Sequence, residues 1–534
     1  MKNITAISFV FFCCIGLIQC QTVDKSVKSK ILANDSVSKQ QVGIVQPKID
    51  SISTAAEKEQ DILPQIVSFN SNEKFRPRKD FRKGVVTSTT IDNYLTKTDY
   101  GYAIQLPSST NIPTPAVFDG TVYLSGGFGS RQYYAFEAVT GKSKWAINLD
   151  DDGPSSPAIE GNTVVFNTES CTIFACDKET GKPLWSYFLG DPLMSMPTIA
   201  NGLVFTSYPA AYEGPIKQQR KNDSNIIVRP SHVLIAIELA SGKIVWQKWI
   251  DSDIMSAPVA KGDLLYLTTF SGALYKVNQH TGDFIEAKAI RATSAPVFSS
   301  LNEVVVSRRS DNAQTKVVGE LVTIGYGARQ KSVYKKDATY LDKKVQDESK
   351  LKSTASTADA GNGFASGAPA SANYSVAYDN IGQSNVSSLQ SFQGSRALYK
   401  NGRLYSTMGD EIICTDSVGI VKWKHKLDGD MKNEGGYMGT PPVYANGYII
   451  VATLEGEVLI FDEQKGSIIK KYAIKDAIRY QPVVDKGWIF VTTVNSKMHA
   501  INTGNPAITG WNMWGGNAAR TNESSSGVHK LVTF

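Results

Sequence analysis

The sequence predicts an all-β fold: an eight-bladed β-propeller of four-stranded antiparallel blades, with a strand from near the N-terminus closing the last blade. Three observations carry that expectation. A hairpin signature repeats without gaps, an opening proline recurs at about 40-residue spacing, and 43 glycines, 23 tyrosines and 21 phenylalanines tilt the composition toward strands and tight turns.

The hairpin comes first. Ala135 to Trp145, Ala175 to Trp185 and Ala236 to Trp246 share the pattern Ala-x-Asp/Glu-x-x-Thr/Ser-Gly-x-x-x-Trp. A strand ends at the Ala-x pair, and the carboxylate can accept backbone N–H groups of the turn. The Gly takes the left-handed conformation that closes a type I turn with a bulge. The Trp of the next strand is a broad apolar plate suited to the space between neighbouring sheets. Ahead of each hairpin lie two more short runs, such as Val164-Val-Phe-Asn-Thr after Pro157 and Leu264-Leu-Tyr-Leu-Thr-Thr after Pro258, so the unit reads as a four-stranded meander. Its opening position falls at Pro115, Pro157, Pro197, Pro258, Pro296, Ala397, Pro442 and Pro482, with gaps of 42, 40, 61, 38, 101, 45 and 40 residues. The unit opened by Pro296 is the most degraded. Tyr102-Ala-Ile-Gln-Leu106 matches Trp145-Ala-Ile-Asn-Leu149, which makes residues 100–106 the expected outer strand of the last blade.

These motifs resemble the repeat of the pyrroloquinoline-quinone-type propellers. That superfamily includes quinoprotein alcohol dehydrogenases and the outer-membrane assembly lipoprotein of Gram-negative bacteria. The ending Trp511-Asn-Met-Trp-Gly-Gly-Asn-Ala-Ala-Arg-Thr521 resembles a closing segment of bacterial envelope members. The resemblance implies a fold and specifies no activity.

Around the propeller, expected over residues 100–522 with insertions at 213–231 and 335–395, the chain divides further. Residues 1–20 read as an export signal, with Lys2 ahead of the apolar run Ile4 to Ile18. Leu17-Ile18-Gln19-Cys20 resembles a lipobox with Gln19 at an unfavoured position, so lipidation of Cys20 and simple cleavage both stay open. Residues 21–99 read as a flexible tether containing the basic stretch Lys74 to Lys83, and residues 523–534 as a tail. Net charge is +6 at 20% charged residues, which gives no reason to expect a nucleic-acid partner.

No catalytic, cofactor-binding or metal-binding residue is expected. The mature chain lacks the adjacent cysteine pair that the dehydrogenase resemblance would imply, the five histidines show no zinc spacing, and Cys176 and Cys414 occupy core positions of the repeat. The expected function is a non-catalytic protein-binding scaffold of the bacterial cell envelope, periplasmic or anchored at the outer membrane. It needs no cofactor, acts as a monomeric ring, and meets the membrane through an N-terminal lipid alone. The assembly-lipoprotein resemblance implies aid to outer-membrane protein assembly; the alternative is a quinone-dependent dehydrogenase or sugar-binding propeller with its ligand at the axial funnel. Loops joining one blade to the next supply the partner-binding candidates Asp191, Leu193, Met194, Asp251, Asp253, Ile254, Met255, Ile478 and Arg479, where acidic residues alternate with adaptable apolar ones.

Overall fold

The computed structural model describes residues 60–72 and 83–521, except 109, 170–171, 190–194, 211, 213–229, 300–302, 312–316, 325–330, 338–393, 431–436 and 512. The export signal, Cys20, most of the basic stretch, most of both insertions and the tail lie outside the described residues.

Each repeat forms a sheet whose strands run in chain order from its inner to its outer edge. The opening prolines sit just before the innermost strand, where a missing N–H breaks no ladder bond. The expectation of eight four-stranded blades is corrected: the propeller has seven blades, of four or five strands. They comprise residues 116–149, 158–188, 198–250, 259–289, 397–426, 443–473 and 483–502, here blades 1 to 7, the last completed by Gly101–Gln105. Six close their outer edge with a hairpin turning on a left-handed glycine. The chain between blades 4 and 5 forms a further four-stranded sheet, Val297–Phe298, Val304–Asp311, Val317–Ile324 and Lys331–Asp337. Its sequence lacks the Thr/Ser-Gly-x-x-x-Trp hairpin. A proline marks the start of an inner strand, and counting prolines alone overcounts the blades.

The seams between blades explain the repeat. Trp145, Trp185, Trp246 and Trp423 each reach the next blade and donate Nε1–H to a carbonyl of its hairpin turn: Lys178, Leu239, Gln279 and Glu463, at 2.9, 2.8, 2.7 and 3.0 Å. The indole lies directly on that turn's glycine, leaving no room for a Cβ at Gly181, Gly242, Gly282 or Gly466. The same contact closes the ring, because Tyr102 lies on Gly141 and donates its hydroxyl to the Ala138 carbonyl at 2.7 Å. Cores fill the seams; Tyr133 of blade 1 stacks on Phe166 of blade 2 at 4.0 Å between centroids. Cys176 and Cys414 are buried in such cores, and burial pushes their thiols up to about 12 and about 11.

Segments assigned to the tether are ordered instead. Val86–Thr89 pairs with the outer strand of blade 1, Leu95–Thr98 with the closing strand of blade 7, and Gln60–Asp61 with the outer strand of blade 4. Each supplies a fifth strand to an outer edge that would otherwise offer unpaired backbone. Helix Leu63–Asn72 buries Ile66, and Ile62 just before it, against blades 3 and 4, and its Asn70 brackets Trp249 by accepting from the backbone N–H and donating to the carbonyl. Polar composition hid this docking, because two isoleucines and one amide do the anchoring.

Candidate partner-binding face

In the blade-to-blade loops, Asp151, Asp251 and Asp476 each tie their loop to the next blade. Asp151 accepts hydroxyls of Thr168 and Thr172 at 2.7 and 2.6 Å. Asp251 accepts Tyr275 Oη at 2.7 Å, Thr269 Oγ1 at 3.3 Å and the Ser271 hydroxyl. Asp476 accepts Asn495 Nδ2 and Lys497 Nζ, both at 3.0 Å. In all three, a carboxylate leaving one blade caps the turn between the second and third strands of the following one. Asp253 is fully buried; it accepts Ser207 Oγ at 2.7 Å and the Ile254 N–H at 2.8 Å.

Their electrostatics divide by burial. Burial pushes the Asp251 carboxyl above its usual range despite the hydroxyl bonds from Ser271, Tyr275 and Thr269. Burial also opposes ionisation of Asp476, yet the bonds from Asn495 and Lys497, with the Lys497 charge, hold it below its usual range. These carboxylates brace the loops rather than present themselves to solvent.

Three of the apolar candidates are buried as well. Ile254, Met255 and Ile478 are buried at 0, 1 and 0% exposure, and Ile254 belongs to the core shared by blades 3 and 4. Loop spacing cannot distinguish a methionine under the ring from one above it, since both look alike in sequence. Asp191, Leu193 and Met194 lie outside the described residues. Arg479 is half-buried, while Asp150, Asp428, Asp430 and Lys475 are exposed on the same set of loops. Those exposed charges, with Arg479, form the accessible part of the face.

The axis carries a feature that loop reasoning missed. Gly510–Trp511 pairs with the inner strand of blade 6, and the chain then crosses the centre. The Gln481 side chain accepts the Trp514 N–H at 2.7 Å, while Ile159, Ile199 and Ala260, on the inner strands of blades 2, 3 and 4, donate their N–H groups to the carbonyls of Ala518, Ala519 and Arg520. Arg520 is fully buried; its guanidinium donates to the carbonyls of Pro197 and Pro157 and lies 4.9 Å from the Trp514 ring. The motif Trp-Gly-Gly-Asn-Ala-Ala-Arg was the available signal: two glycines and two alanines permit close backbone approach. Among the described residues no three His, Cys, Asp or Glu side chains gather as metal ligands.

The family described as outer membrane protein assembly factor BamB matches residues 88–208, 213–325 and 365–469. Over 369 residues the chain is 22% identical to the outer membrane protein assembly factor BamB of Moranella endobia, covering 65% of this chain and 84% of that protein. Over 126 residues it is 31% identical to the quinoprotein alcohol dehydrogenase PedH of Pseudomonas putida, a match spanning 21% of each chain and hence about a fifth of that relative. The crystal structure of BamB from Moraxella catarrhalis superposes with a TM-score of 0.44 at 14% identity, covering 78% of this chain and 97% of that one.

Proposed function

Because the chain belongs to the PQQ-like repeat β-propeller family described as outer membrane protein assembly factor BamB, we propose that it is a non-catalytic scaffold of the bacterial envelope that aids outer-membrane protein assembly. The observation carrying this reading is the division of labour within the ring. The axis is filled by the C-terminal segment around Arg520, and the loop acids Asp151, Asp251 and Asp476 are spent on bracing, which leaves a rigid face bearing exposed charge. A pre-organised face of that kind loses little entropy on binding a protein. Export, with Cys20 as either a lipidated or a cleaved terminus, brings the face to the periplasm.

The test is capture from envelope extracts by the full chain, with outer-membrane barrel proteins quantified in a strain lacking it. Charge reversal at the exposed Asp428, Asp430 and Lys475 is expected to weaken capture with the melting temperature unchanged. Normal barrel levels in the deletion strain, or saturable quinone binding with turnover of an alcohol and dye reduction, would overturn the reading.

A further inference from the structure

The tryptophan seam is interrupted between blades 6 and 7. Lys470 stands four residues after Gly466, where the repeat has Trp, and the place of the next hairpin is taken by the start of the closing strand at Gly101. With no Trp plate on the blade 6 side, the seam opens into a cavity of about 720 Å³, within the range of small-ligand sites.

Three kinds of group line this cavity. Tyr100, Tyr448, Tyr472 and Trp488 offer aromatic surface, with Tyr100 edge-on to Tyr472 at 5.0 Å. Ile460, Ile469 and Ile508 add aliphatic surface, and the remaining side chains are mainly donors. Lys97 and Lys470 are exposed, and among the described residues neither has a carboxylate within ion-pair distance. Asn502 and Asn505 spend their Oδ1 atoms accepting Gly504 N–H at 2.9 Å and Ala507 N–H at 3.0 Å, which leaves each amide NH₂ as a donor. The lining carries one carboxylate, Asp99.

A fitting ligand therefore combines flat C–H faces for the rings, several acceptor oxygens for the amides and a negative charge for the lysines. A purely apolar molecule would leave the donors unmatched. An added peptide strand would find one wall without a free edge, since Gly101–Gln105 is already paired on both sides. We propose that the open seam between blades 6 and 7 binds an anionic saccharide. The site lies apart from the loop face and does not depend on partner binding there.

The experiment is calorimetric titration of the full chain with a carboxylate-bearing muramic-acid disaccharide, beside neutral diacetylchitobiose and an acidic heptapeptide. The anionic disaccharide is expected to bind saturably, roughly ten-fold tighter than the neutral one and more weakly as salt rises. Lys470→Trp restores the plate and removes an ammonium, so it is expected to abolish binding without lowering the melting temperature. Tyr448→Ser and Lys97→Ala, at the rim, are each expected to weaken binding several-fold in a folded protein. No saturable binding of the disaccharide, undiminished binding in folded Lys470→Trp, or preference for the peptide would overturn the proposal. Partner capture by the loop face is expected to survive Lys470→Trp, which separates failure here from failure of the scaffold reading.

Discussion

Alanine at Gly242 tests the seam between blades 2 and 3, and alanine at Gly202 provides its control. Both glycines are left-handed, at φ +73° and +71°. A left-handed alanine costs about 1–2 kcal/mol, offset by about 0.4–1 kcal/mol from a less free unfolded chain. At Gly202 nothing lies within 4 Å of the new Cβ, so a net loss near ~1 kcal/mol is expected there. At Gly242 the Cβ would sit 2.7 Å from Cγ of Trp185, and that indole cannot retreat without breaking its 2.8 Å bond to the Leu239 carbonyl. Overpacking of this kind adds about 1–3 kcal/mol. The expected difference between the two variants is thus about 1–3 kcal/mol, read as a shift in urea midpoint at unchanged slope. Placing Gly242→Ala in a Trp185→Leu background removes the obstructing ring, and the excess penalty is expected to vanish. Equal losses at the two glycines, or no relief in the Leu background, would refute the seam argument.

Three further outcomes follow from the same geometry. Tyr102→Phe removes the hydroxyl bond to Ala138 that closes the ring and is expected to cost about 1–2 kcal/mol in urea unfolding. Asp251 has a folded pKa above its unfolded value, so the fold holds a proton that the unfolded chain has already released; stability is expected to fall as pH rises from the ordinary Asp range through the raised one. Asp251→Asn is expected to flatten that decline in melting temperature against pH, and an unchanged profile would contradict it. Deletion through Asn72 strips Ile62 and Ile66, worth about 1.5–3 kcal/mol each before ordering entropy is subtracted, and is expected to lower the melting temperature while the ring stays folded. An unaltered transition would mean that the helix is not anchored to the blades.

Local sequence chemistry alone determined the meander, the hairpin glycine and the closing strand. Alternation, turn residues and a plate-like Trp act within a dozen residues, and the match of Tyr102 to Trp145 exposed the ring's join before any coordinate did. The blade count was decided elsewhere, because Pro296 has the chemistry of an inner strand, yet the four-stranded sheet that follows it is not one of the seven blades. Tertiary structure alone also decided where the loop residues point. Asp251 and Asp151 turn inward because hydroxyls of the following blade, about twenty residues away, wait for them, and Ile254 and Met255 follow into the core. The same holds for Arg520, whose carbonyl partners at Pro157 and Pro197 lie more than 300 residues earlier in the chain. A repeat states what each blade is made of; which side of a loop is inside depends on what the neighbouring blade presents, and that neighbour is set only when the ring closes.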